Sequence, residues 1–145
     1  MRSTASFLFI CFVFLSSSCD RCKSDPPRLD FSTDTYYTVS ELLESCRIDN
    51  CNQTGYWEGQ TIRAKGQVDY PSIQPTYFFL RNGESLGIRV NITGDAQAIR
   101  DSLGAHPGKT CKIVALGAGE NHPKNYSCER VIALELSKAT DLGFE

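Results

Sequence analysis

The chain has 145 residues, 41% of them hydrophobic and 22% charged, with a formal net charge of −2. That length holds one domain with short appendages, and the composition is that of a chain able to bury its own core. The charge balance excludes the strongly basic footprint of a dedicated nucleic-acid binder.

The N-terminus does not belong to the domain. Met1-Arg2 supplies one positive side chain, Ala5–Leu15 is apolar except for Ser6, and Ser16, Ser17 and Ser18 follow. This order predicts a secretory signal peptide over residues 1–18. The 11 apolar-run residues would rise only about 17 Å as a helix, short of a hydrocarbon core of ~30 Å. Leu15-Ser16-Ser17-Ser18-Cys19 resembles a bacterial lipobox, with the leucine one place farther from the cysteine than usual. The resemblance implies that Cys19 receives a lipid, becomes the mature N-terminus and holds the protein on a membrane of the cell envelope. The alternative is cleavage after Ser18 and secretion. The sequons Asn52-Gln53-Thr54, Asn91-Ile92-Thr93 and Asn125-Tyr126-Ser127 favour a secreted, disulfide-bonded eukaryotic protein under that alternative.

Residues 19–35 read as a flexible tether, rich in charged residues, Ser and the Pro26-Pro27 pair. The domain spans 36–140. A short helix follows Tyr36, with Ser40 as its cap and Leu42 and Leu43 as its apolar face. Thr61–Val68 alternates strictly, with Ile62, Ala64 and Val68 on one side and Arg63, Lys65 and Gln67 on the other. Thr76–Arg81 is a second strand, and Asn82-Gly83 marks the turn after it. Leu86–Ile92 is a third strand. Residues 94–104 form a helix with Ala98, Ile99 and Leu103 inward and Gly104 at its end. Lys109–Gly117 is the fourth strand, Glu120–Asn125 a polar loop, and Arg130–Ser137 the fifth strand.

The order strand, strand, strand, helix, strand, strand resembles the OB-fold, a five-stranded Greek-key barrel with one short helix between strands three and four. Two segments carry the resemblance: the glycine-interrupted Gly59–Gly66 as a bent first strand, and Gly108–Gly117 as a fourth strand with a Gly-Lys opening. The expected fold is therefore mostly β, an OB-like barrel preceded by a short N-terminal helix. The resemblance also implies an antiparallel hairpin of strands four and five, with Cys111 and Cys128 at its opposite ends, too far apart to bond. It places the end of strand four near the start of strand one. Cys128 is then expected to bond Cys46 or Cys51. Cys111 alternates with Ile113 and Ala115, which suits a buried free thiol. The Cys19-Asp20-Arg21-Cys22 spacing lies in the tether and reads as part of the anchor rather than a metal or redox pair. No metal site and no cofactor are expected.

No catalytic constellation is legible, so the protein is not expected to be an enzyme. His106-Pro107 and His122-Pro123 both read as loop surface, and neither a Ser-His-acid pattern nor a phosphate loop occurs. The resemblance assigns binding to the face of strands two and three. Side chains opposite the core there and on strand one are Arg63, Lys65, Tyr77, Phe79, Arg81 and Arg89, flanked by Gln67 and Asn91. Aromatic and cationic groups together suit an extended ligand: an oligosaccharide, an oligonucleotide or a peptide. Export disfavours the nucleic acid. The alternative partner is a protein, the domain then being a structural accessory of an envelope complex.

Overall fold

Alternation of β-branched and aromatic residues builds most of the molecule. The computed structural model describes residues 27–69, 73–83 and 86–145; the signal peptide, Cys19, Cys22 and most of the expected tether lie outside them. The elements are β1 (Tyr37–Thr38), α1 (Val39–Ser45), β2 (Arg47–Ile48), β3 (Thr61–Val68), β4 (Tyr77–Asn82), β5 (Leu86–Ile92), α2 (Ala96–Gly104), β6 (Thr110–Lys124), β7 (Ser127–Leu136) and β8 (Leu142–Phe144).

Five strands close a ring. β3 pairs antiparallel with β4, β4 antiparallel with β5, β5 parallel with β7, β7 antiparallel with β6, and β6 antiparallel with β3. The helix between the third and fourth of these strands is present as α2. The alternation read from the sequence holds: Ile62, Ala64, Phe78, Leu80, Ile88, Val90, Ile113, Leu134 and Leu136 are buried in one core. Val39 and Leu42 of α1 and Ile99 and Leu103 of α2 complete it.

Several boundaries differ from expectation. The cap of α1 is Thr38, not Ser40. The Thr38 hydroxyl accepts from Glu41 N at 3.3 Å and the Glu41 carboxylate accepts from Thr38 N at 2.7 Å, a reciprocal capping box. Glu120–Asn125 is not a loop. β6 continues to Lys124 and β7 starts at Ser127, with pairs from Glu120–Val131 to Lys124–Ser127. This arm runs past the ring, where it has no core to face, so its residues are polar although the ladder is regular. Within the expected tether 19–35, Leu29 and Phe31 pack on the domain. Phe31 stacks on Tyr56 at 5.7 Å, and Leu29 N donates to the Tyr56 hydroxyl at 3.0 Å. Burial of these apolar groups outweighs the flexibility that the neighbouring charges suggest.

Trp57 fills one end of the ring. It is fully buried, and its indole Nε1 donates to Ala118 O at 2.9 Å. The β6 backbone lies against it: Gly59 N donates to Gly117 O and Gly117 N to Gln60 O, both at 2.8 Å. A Cβ at Gly117 would stand 2.1 Å from the Trp57 carbonyl oxygen, so only glycine permits this approach.

The arm is fastened along its length. At the root β2 pairs with Arg130 and Val131 of β7, and close to the tip Cys51 and Cys128 form a disulfide with Cα atoms 5.3 Å apart. Glu58 accepts from Arg130 Nε and Nη2, each at 2.7 Å, and from Gly55 N at 2.7 Å. Arg130 lies where a Cβ on Gly119 would meet its guanidinium at 2.5 Å. The Arg130 hydrogen bonds hold the Glu58 carboxyl below the usual carboxylate range, with the Gly55 amide adding to the effect. A lowered folded-state pKa means that this group stabilises the fold above its unfolded value and loses that contribution as pH falls toward the folded value. Glu58→Gln is therefore expected to lower stability at pH 7 and to flatten its decline below pH ~4, as read by chemical unfolding midpoints across a pH series. An unchanged acid slope would contradict this role.

Candidate functional site

The outer face of β4 and β5 brings four of the six expected ligand-contacting residues together. Tyr77 and Phe79 point outward because Phe78 and Leu80 fill the core. Their rings meet edge to face at 5.8 Å. The register sets Phe79 opposite Arg89 and Tyr77 opposite Asn91. The Arg89 guanidinium lies 4.3 Å from the Tyr77 ring centroid, and the Arg81 guanidinium 5.5 Å from that of Phe79. Arginine and aromatic side chains thus interlock on one surface.

Each arginine also has an acid. Arg81 Nε lies 3.0 Å from Asp69 Oδ2, and Arg89 Nη1 lies 3.6 Å from Glu120 Oε1. The Arg81 contact is an ion pair without hydrogen-bond alignment; the Nε atoms of Arg81 and Arg89 are shielded from solvent and make no hydrogen bond. Arg89 reaches Glu120 across β7, where Ala133 faces outward yet is 2% exposed, as a crossing side chain requires. Charge on this face is balanced rather than positive. Asp69 and Glu120 are residues of this face that sequence reasoning misses. Asp69 follows the end of a strand, and Glu120 sits in a stretch with the composition of a loop; opposite charge at strand ends is the only signal for either.

Arg63 does not join this group, and Lys65 meets it only at Arg81, with which it lines one depression. β6 covers one edge of β3 from Thr61 to Gln67, and β1 pairs parallel with Ala64 and Lys65 on the other. β4 takes up that second edge only at Gln67 and Val68. The β1 segment therefore stands between the β3 cations and the aromatic pair. Arg63 Nη2 is paired with Asp34 at 2.7 Å, and Nη1 donates to Thr33 O at 3.3 Å. The Thr38 hydrogen bonds hold the Glu41 carboxyl below the usual carboxylate range, and the nearby Lys65 charge adds a little to this. Two depressions border the face, of about 420 Å³ and about 350 Å³, sharing Gln67, Arg81 and Gly83 in their walls.

The disulfide expectation resolves to Cys51. Cys46, the other candidate, is a free and fully buried thiol 3.6 Å from the Tyr56 hydroxyl, and its carbonyl accepts from Ile132 N. Burial pushes its pKa up to about 11. Cys111 is likewise free and buried, pushed up to about 12 by burial. Cys111 pairs with Gly66, whereas Cys128 pairs with Pro123. Twelve strand residues separate the two levels on β6, about 40 Å, far beyond disulfide reach. Both thiols are shielded in the core, where burial disfavours the thiolate. His106 stacks on Phe144 with centroids 4.1 Å apart, and His122 Nε2 lies 3.8 Å from Glu120 Oε2. Among the described residues no group of three or more His, Cys, Asp or Glu is placed to hold a metal ion, and no helix is long and apolar enough to cross a membrane.

No protein-family model matches the chain, and neither a curated protein nor a solved structure does.

Proposed function

We propose that the protein is an exported binding module, anchored to an envelope membrane through a lipid on Cys19, with an OB-like Greek-key barrel that holds an extended ligand on the outer face of β4 and β5. The single observation that carries the binding reading is the interlocked group of Tyr77, Phe79, Arg81 and Arg89 on one outward face. The ring order β3–β4–β5–β7–β6, with its parallel β5–β7 pair and α2 between β5 and β6, supports the OB-like reading. The signal-peptide pattern ending at Cys19 supports the anchor.

Charge balance selects among ligand classes. A polyanion binds by displacing counterions from its phosphates, and a cation already held by a carboxylate contributes little to that. Arg81 and Arg89 are both so held. An oligosaccharide or an extended peptide, which needs planar surface and hydrogen-bond donors rather than net charge, fits the face better than an oligonucleotide. No enzymatic step is proposed.

The test is capture on a glycan array and on an immobilised oligo-dT strand, with a Tyr77→Ala/Phe79→Ala double variant beside the wild type. The reading expects glycan capture insensitive to salt, weak oligo-dT capture, and loss of glycan capture in the variant with an unchanged circular dichroism spectrum. Capture that survives the double substitution overturns the assignment of the face. Tight, salt-sensitive capture of oligo-dT overturns the ligand class.

A further inference from the structure

We infer that the tip of the β6–β7 arm rests on the surface of the bilayer that carries the lipid anchor, with Tyr126 seated in the membrane interface. This rests on the proposed lipidation of Cys19.

Three observations lead there. The first is the tip itself. Asn125 and Tyr126 join Lys124 to Ser127 in a two-residue turn, and Tyr126 is fully exposed with φ 63°. A left-handed backbone disfavours a side chain as large as tyrosine, and glycine or asparagine is the usual choice at such a turn. Among the described residues Tyr126 is the most exposed large apolar side chain, and it stands in a strained backbone position at the end of the arm.

The second is rigidity. The disulfide to Cys51, the Glu58–Arg130 pair and the Lys124–Glu129 ion pair at 2.7 Å hold the arm, so Tyr126 is presented with little ordering left to lose. Tyrosine suits the boundary between headgroups and acyl chains, with its ring in the apolar layer and its hydroxyl in water. With Lys124 paired to Glu129, the contact depends on the ring rather than on anionic lipid.

The third is where the leader meets the domain. Arg28 lies over the Tyr56 ring at 5.2 Å, Leu29 N donates to the Tyr56 hydroxyl, that hydroxyl touches Cys46 Sγ, and Cys46 O accepts from Ile132 N. Ile132 is the last core residue before β7 becomes the arm. The chain therefore arrives from Cys19 at the root of the arm. Nine residue steps from Cys19 to Arg28 span at most about 30 Å. The tip lies five strand residues beyond Ile132, about 17 Å. The opposite end of the ring, at Thr110, lies nine strand residues from Gly119, about 30 Å. A membrane held at Cys19 meets the arm tip well within the leader's reach, and meets the far end only with the leader fully stretched along the domain.

The experiment uses the full lipidated protein reconstituted into phosphatidylcholine vesicles, with Tyr126→Trp as the probe and the buried Trp57 as constant background. Flotation reports the anchor, and emission from the introduced indole reports the tip. The inference expects that emission to shift to shorter wavelength on reconstitution, to lose most of its quenching by aqueous iodide, and to gain quenching by lipids brominated near the headgroup. Flotation with the tip indole still water-like and iodide-quenched overturns the inference while leaving the anchor intact. Failure to float overturns both. Protection of the tip indole in native envelope membranes but not in pure lipid overturns the bilayer contact in favour of a protein partner.

Discussion

Replacing Cys51 by serine is expected to remove about 4 kcal/mol of stability, the largest effect of any polar substitution outside the core. The Cys51–Cys128 bond closes a segment of sequence separation 77, so its loss frees a long stretch of the unfolded chain. It also frees the loop between β2 and β3 from β7, leaving the Glu58–Arg130 pair as the main polar tie across that contact. The denaturant midpoint should fall, and the slope of the transition should steepen because the reduced unfolded chain exposes more surface. Dithiothreitol on the wild type should reproduce the variant. A midpoint unchanged by both treatments would mean that the bond does not constrain the arm.

Trp57→Ala is expected to cost about 3–5 kcal/mol through the cavity it opens at the end of the ring. Part of that cost is polar, since the Ala118 carbonyl loses the indole N–H that it accepts at 2.9 Å. Trp57→Phe separates the two contributions. It keeps most of the volume but removes the hydrogen bond, and is expected to cost about 1–3 kcal/mol, less than the alanine variant. Trp57 is the only tryptophan in the chain, so circular dichroism rather than intrinsic fluorescence must follow the transition. Equal losses for the two variants would show that the hydrogen bond, not packing, holds this end closed.

The five ring strands and α2 are legible in the sequence because Ile62/Ala64, Phe78/Leu80, Ile88/Val90 and Ile132/Leu134/Leu136 alternate with polar neighbours, and because Ile99 and Leu103 stand four apart. The arm is not legible. From Glu120 to Lys124 both sides of the ladder are polar, and a strand without a buried side has the composition of a loop. β1, β2 and β8 are two or three residues long, too short to carry a period. The docking of Leu29 and Phe31 is hidden by the charged and proline-rich residues around them. The candidate site is half legible. Alternation puts Tyr77, Phe79, Arg81 and Arg89 outward, as the structure has them. It does not show that β1 stands between the β3 cations Arg63 and Lys65 and the aromatic pair, since that depends on pairing across 27 residues from Tyr37 to Ala64. Nor does it show that Asp69 and Glu120 neutralise the arginines, which turns an expected cationic face into a balanced one.

Both the proposed function and the arm-tip inference stand on an exported chain held at a membrane through Cys19. Mass spectrometry of the mature N-terminal peptide, from protein expressed in a bacterial host and recovered with its membranes, tests that claim directly. The account predicts a peptide that begins at Cys19 and carries the added mass of a diacylglyceryl group. An unmodified peptide beginning at Cys19, or a chain still beginning at Met1, would contradict it.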